Sequence, residues 1–238
     1  MKLIFLDTEG TGVDTKTDRL CQVCYKVDGQ IRTEYFKPPV PISIKAMSIT
    51  HITNKMVEDK PPFIGSQMHE ELGKLLAEGV LVAHNCAYDA AILENDGLSA
   101  PNKICTYKVA QFMDPDGKIP EYNLQYLRYF LGLEIEGNAH DAEGDVLVLE
   151  GVFNRLFAKV REGVASDDAA IQKMIEITNT PTLYKKINFG KHIGKRIDAV
   201  AVEDRGYLEW LLKQKLENPD GEDDWIFTLK YYLADKGK

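Results

Sequence analysis

The first nine residues constrain the fold more than any other part of the chain. Met1 to Leu6 is nearly all apolar, with little alternation, and runs directly into Asp7-Thr8-Glu9. A strand without polar alternation is buried on both faces, so it belongs inside a sheet that helices cover on either side. Two acids at the end of such a strand are costly unless they are paired or hold a cation. Residues two apart on a strand share a face, so Asp7 and Glu9 can address one point. Gly10 and Gly12 let the following backbone approach a ligand closely. Read alone, the same D-x-E also fits a strand that simply ends in solvated acids.

The pattern that follows is that of an α/β domain with a mixed sheet. Arg19 to Val27 and Gln30 to Phe36 are strand-like runs joined by Asp28-Gly29, a strong hairpin signal, and Pro38, Pro39 and Pro41 end the sheet pattern. Helical spacing over Ser66 to Ala77 closes at Gly79, and Val80 to Ala83 is a short apolar strand leading into His84-Asn85. Tyr88 to Leu93 reads as helix, Ile104 to Thr106 as a brief strand before another helix, and Asn123 as the N-cap of Leu124 to Leu131. From Asp141 onward, Val146, Leu149, Val152, Phe153, Leu156, Phe157 and Val160 form one broad helical face. The domain is expected to span 1–163, followed by a helical linker over 164–186 and a small α+β module over 187–238. In that module Ile187 to Ile197 reads as strand, turn, strand, and two helices follow, Gly206 to Leu216 and Asp224 to Leu233.

At 238 residues the chain can hold one full α/β domain and a small appendage. No run approaches the roughly eighteen apolar residues of a membrane span. The run Leu3-Ile4-Phe5-Leu6 is too short for the apolar region of a signal peptide, so a cytoplasmic location without a membrane partner is expected. Cys21-x-x-Cys24 lies in a strand-like run, where residues three apart face opposite sides. With Cys86 and Cys105 these are expected to be reduced, buried thiols. The net charge of −8 argues weakly against a nucleic-acid partner, because carboxylates that hold cations make the formal count overstate the local potential.

Three further residues bear on the acids at Asp7 and Glu9. Asp89 starts a helix, where an acid also serves merely to balance the helix dipole. His140 and Asp145 open the last helix of the domain, and singly they read as a loop histidine and a surface acid. Taken together, four carboxylates on separate elements form an all-oxygen set that suits Mg²⁺ or Mn²⁺ rather than zinc. Two such ions, roughly 3.5–4 Å apart, can clamp the attacking and leaving oxygens of a phosphoryl displacement. A histidine that titrates near neutrality can take the proton from the attacking water.

The order and setting of these residues resemble the DnaQ-like exonucleases of the DEDDh group, an RNase H-like fold. The motifs are DTEGTG (Asp7 to Gly12), HNCAYD (His84 to Asp89) and HDAEGD (His140 to Asp145). PISIKAMSITHIT (Pro41 to Thr53) resembles the family's segment after the third strand, and FGKHIGKRI (Phe189 to Ile197) with GYLEWLL (Gly206 to Leu212) the terminal module of one branch. The resemblance implies a 3′→5′ exonuclease in which Asp7, Glu9, Asp89 and Asp145 hold two divalent cations, Mg²⁺ or Mn²⁺, and His140 is the general base. Thr8, Gly10 and Thr11 would line the 3′-terminal nucleotide, Met47 and His51 would contact its base and sugar, and His84 and Asn85 would sit beside the site. Many relatives carry Thr where this chain has Gly10, which bears on substrate contacts and leaves the ligands intact.

DNA with 3′ ends is the expected partner and nucleoside 5′-monophosphates the expected product. The alternatives are an exoribonuclease that trims RNA ends and a non-catalytic nucleic-acid-binding module on the same fold. In the terminal module, Lys191, Lys195 and Arg196 read equally as phosphate contacts or as solvated lysines and arginine on a turn. Tyr207, Trp210, Trp225, Tyr231 and Tyr232 read as its small core.

Overall fold

The computed structural model describes residues 1–135 and 142–234. Its frame is a five-stranded sheet in the order β3-β2-β1-β4-β5. The strands are β1 (Leu3–Gly10), β2 (Leu20–Val27), β3 (Gln30–Tyr35), β4 (Val80–Ala83) and β5 (Lys103–Cys105). β1–β2 and β2–β3 pair antiparallel, β1–β4 and β4–β5 parallel, so the sheet is mixed as expected. Asp28 and Gly29 both take positive φ (50° and 80°), the twist that a two-residue hairpin needs. The first strand runs on past Leu6 through both acids, and its register with β2 shifts between Glu9 and Gly10.

The helices among the described residues are α1 (Ile44–Thr50), α2 (Asn54–Val57), α3 (Gln67–Glu78), α4 (Ala87–Asn95), α5 (Thr106–Phe112), α6 (Leu124–Phe130) and α7 (Ala142–Arg161), then α8 (Asp167–Asn179), α9 (Ile197–Glu203), α10 (Arg205–Glu217) and α11 (Asp223–Leu233). The cap anticipated at Asn123 is formed, and Ser66 and Ser166 cap their helices in the same way, each of the three accepting a backbone N–H three residues on.

The two faces of β1 feed two cores, and that division places the site. Ile4 and Leu6 pack with Leu72, Leu76, Ile92 and Leu93 of α3 and α4. Phe5 packs on the other face with Val146, Leu149, Val152 and Phe153 of α7, and its ring meets Phe153 edge-on at 5.3 Å. With a period of two, Asp7 and Glu9 follow Phe5 onto the α7 face.

Beyond residue 163 the chain departs from the expected layout. Ala170, Ile171, Met174, Ile175 and Ile177 of α8, within the segment read as a linker, are buried in the same cluster as Phe5. The expected strand-turn-strand over Ile187 to Ile197 is reduced to one antiparallel bridge, Lys186 with Arg196, around a 3-10 turn at Gly190–His192. Helix α9 begins at Ile197, where the buried Ile197 and Val200 join Ile187, Leu208, Leu211, Trp225 and Leu229 in a separate small core. Trp225 belongs to that core as expected, whereas Trp210 is largely exposed. All four cysteines are buried and outside any disulfide among the described residues.

Candidate active site

Strand and helix geometry bring the acids together. Glu9 lies four residues beyond Phe5, about 13 Å along a strand. Asp145 lies eight residues before Phe153, about 12 Å along a helix. Phe5 and Phe153 touch and the Asp145 charge acts on Glu9, so α7 runs back along β1 and its first turn arrives where β1 ends. Asp89 comes from the opposite face, on the first turn of α4. It is buried and accepts two hydrogen bonds through Oδ1, from the Thr8 N–H (3.1 Å) and the Thr8 hydroxyl (2.8 Å). Thr8 is thus engaged with Asp89.

These carboxyls feel one another. Asp7 is held well above the usual carboxylate range, first by burial and then by the charges of Asp89, Glu9 and Asp145. Glu9 is pushed up to about 7 by burial, Asp145 and Asp89. Burial also lifts Asp89 to about 7 against the pull of its Thr8 hydrogen bonds. A cluster of this kind calls for countercharge, and its oxygen-only donors match a hard divalent cation. Among the described residues no three such side chains are gathered closely enough to hold an ion as placed. Asp89 is tied to Thr8, and Asp145 accepts a 2.6 Å hydrogen bond from Gln125 Nε2.

A cleft of about 740 Å³ opens beside Glu9, lined by Gly10, Gly12, Ala46, Ile49, Thr50 and Asn85 among others. Asn85 is exposed on its wall in the left-handed region (φ 60°). Gly10 has a local reason: a Cβ there would collide with the Tyr88 hydroxyl, which donates to the Gly12 carbonyl at 2.8 Å. The Tyr88 hydroxyl thus fills the space that a side chain at position 10 would take. Thr11 is buried, its hydroxyl donating to Asp18 Oδ1 (2.7 Å) and accepting from the Arg19 N–H (3.0 Å). Met47 packs against the small cluster of Cys21, Ile42 and Ile52, and His51 is the exposed left-handed C-cap of α1. The cleft wall there is formed by their neighbours Ala46, Ile49 and Thr50.

His84 is a strut. One ring nitrogen meets the Thr106 hydroxyl (2.9 Å) and the other the Tyr122 carbonyl (2.8 Å), and burial lowers its pKa to about 4, so the ring is neutral. Sequence reasoning missed Gln125 and Tyr88, both of which reach the site only through tertiary contacts. Arg128 extends the Gln125 contact, donating to Gln125 Oε1 (3.4 Å) and to the carbonyl of Ile135. Residues 136–141 follow, so His140 lies outside the described residues.

A mixed sheet in this order, with acids on its first strand meeting acids from helices on both faces, defines the RNase H-like, DnaQ-type nucleases. The RNase T exonuclease family model matches residues 4–153, and the chain belongs to that family of 3′→5′ exonucleases acting on nucleic acids. Exodeoxyribonuclease 10 of Escherichia coli strain K12 is 29% identical over 241 residues, covering 97% of this chain and 98% of that protein. The solved structure of exonuclease X in complex with 5′ overhanging duplex DNA shares the fold (TM-score 0.56, 22% identity), covering 74% of this chain and 99% of that one. So does E. coli exonuclease I in complex with a dT13 oligonucleotide (TM-score 0.55, 19% identity), covering 67% and 43%. Members of the family generally use divalent metal ions. Among the described residues no helix is long and apolar enough to cross a membrane.

Proposed function

We propose that this chain removes nucleotides from the 3′ ends of DNA and releases nucleoside 5′-monophosphates. The observation that carries the reading is the mutually repelling set Asp7, Glu9, Asp89 and Asp145 at the end of β1. DNA is favoured over RNA because the relative that aligns end to end is an exodeoxyribonuclease.

Asp7, Glu9, Asp89 and Asp145 would hold the divalent cations, which when bound supply positive charge beside the scissile phosphate and acidify a water. Each side chain has its own task. Thr8 fixes Asp89 by two hydrogen bonds and Gln125 fixes Asp145 by one, so the carboxylates are oriented before substrate arrives. The cleft beside Glu9 receives the 3′-terminal nucleotide, with Gly10 and Gly12 allowing close approach of its sugar and Asn85 at its wall. His140, first residue of the H-x-x-x-x-D motif, takes the proton of the attacking water. The new P–O bond forms as the bond to the 3′ oxygen of the preceding nucleotide breaks, and that oxygen leaves with a proton.

The test is digestion of 3′- and 5′-labelled DNA and RNA, single-stranded and duplex, in Mg²⁺, Mn²⁺ or EDTA. Stepwise loss from the 3′ end of DNA, abolished by EDTA and by Asp7→Ala or Asp145→Ala, is expected. EDTA-resistant cleavage, or near-normal activity in either variant, would overturn the assignment. A clear preference for RNA would reassign the substrate and leave the site intact.

A further inference from the structure

The groove where the C-terminal segment meets the exonuclease domain has chemistry that the site above does not use. It is a cavity of about 320 Å³, walled by Tyr107, Gln111 and Tyr122 on one side and Tyr184, Lys185 and Lys186 on the other. The other cations considered for phosphate contact are already engaged: Lys191 with Asp204, Lys195 with Glu203 and Arg196 with Asp198. Lys185 and Lys186 make no ion pair among the described residues. The charge of Lys186 acts on Asp114, whose carboxylate already accepts the Lys118 and Ile119 N–H groups and the Tyr122 hydroxyl. The one acid on the rim, Glu121, accepts a hydrogen bond from Asn123 Nδ2 at 2.8 Å. On the rim itself two lysines stand against the single carboxylate of Glu121, with Asp114 close enough to feel Lys186.

The interior of the groove adds a second, independent signal. Gln111 Oε1 is buried with no hydrogen-bond partner among the described residues, an arrangement that favours a ligand bringing a donor. An acceptor flanked by three half-buried tyrosines, with two lysines at its edge, matches a nucleobase carrying an exocyclic amino group and its phosphates. The volume is at the low end of ligand clefts, which run from about 300 to 1,000 Å³, and suits a single nucleotide.

The groove also abuts the candidate active site. Tyr122 lends its carbonyl to His84, whose neighbour Asn85 lines the cleft beside Glu9. Asn123 caps the helix from which Gln125 reaches Asp145.

We propose that this groove is a second nucleotide subsite, holding one nucleotide of the substrate strand upstream of the scissile phosphate. The base lies against the tyrosines and gives its amino group to Gln111, and the phosphates lie on Lys185 and Lys186. The proposal rests on the exonuclease reading. It gives the segment beyond the family match, which ends at residue 153, a direct part in gripping the strand.

The experiment compares the full chain with Lys185→Ala/Lys186→Ala and, separately, the exposed Lys186→Glu. Binding of single-stranded oligonucleotides of two to twelve nucleotides is followed by fluorescence anisotropy in EDTA across a salt series. Hydrolysis of DNA and of the p-nitrophenyl ester of thymidine 5′-monophosphate, too small to reach the groove, is followed in Mn²⁺. The double variant is expected to bind longer oligonucleotides on the order of tenfold more weakly, with the salt slope reduced by about 1.4, while ester hydrolysis is unchanged. Gln111→Leu is expected to weaken adenine- and cytosine-containing strands more than thymine-only ones. Unaltered affinity and salt slope in both lysine variants would overturn the subsite. A parent enzyme that hydrolyses neither DNA nor the ester would instead overturn the exonuclease reading beneath it.

Discussion

Replacing Glu9 by Gln should stabilise the metal-free protein, and the size of the gain follows from the site's electrostatics. Glu9 is lifted from its ordinary 4.5 to about 7, first by burial and then by Asp145 and Asp89. A carboxyl whose folded pKa is raised contributes its full stability below the unfolded value and loses it as pH climbs to the folded one. At about 1.36 kcal/mol per pH unit, the parent gives up about 3 kcal/mol between pH 4.5 and 7 that a Gln variant keeps. A domain of this size shifts by about 2–4 °C per kcal/mol, so in EDTA at pH 8 the variant should melt about 6 °C higher, after the smaller cost of burying an amide. At pH 4.5 the two should melt together. Adding Mn²⁺ should raise the parent's Tm more than the variant's, because only the parent keeps all four carboxylates of the proposed ligand set. Thermal unfolding by circular dichroism over pH 4.5–8, with and without Mn²⁺, measures all of this. A variant no more stable than the parent at pH 8 in EDTA, or equally stabilised at both pH values, would refute the reasoning that this cluster repels itself and awaits a cation.

Three other outcomes follow from particular contacts. Gly10→Ala should lower both Tm and kcat, because the new methyl meets the Tyr88 hydroxyl; adding Tyr88→Phe should restore most of the loss, as a double-mutant cycle would record. Gln125→Leu frees Asp145 Oδ1 from its 2.6 Å partner and should cost about 10–100-fold in Mn²⁺ affinity or kcat with little change in KM, read by metal titration and steady-state kinetics. Asp204 is depressed to about 2 by Lys191 and then His192, so its contribution to stability is present above about pH 4 and fades as pH falls toward 2. Asp204→Asn should therefore melt lower than the parent at pH 6, with the gap closing in acid.

Much of the frame was legible because local signals and period agreed. Asp28-Gly29 announced its hairpin, Asn123 its helix, and the unbroken Leu3–Leu6 run a strand buried on both faces. The short helices α1 and α2 escaped notice because the prolines before them mask the onset, and their caps at Ser43 and Thr53 are single polar residues without a long apolar stripe. The expected hairpin at Ile187 to Ile197 misread a Gly-Lys spacing that supports a single bridge, because Ile197 is taken into the small C-terminal core as the start of a helix. The segment read as a linker carries α8, whose apolar residues complete the core under β1.

The opening run and its two acids illustrate where the line falls. Sequence alone determined that Asp7 and Glu9 share a face at the end of a buried strand, and motif order tied them to Asp89, His140 and Asp145. Alternation along a strand and spacing along a helix are local properties, so both can be read without coordinates. That α7 lies along β1 so that Asp145 comes to Glu9, that Thr8 is spent on Asp89, and that a tyrosine hydroxyl fills the space beside Gly10 were decided by tertiary structure. These depend on which side chains from distant parts of the chain occupy the same few ångströms, and no local pattern encodes that.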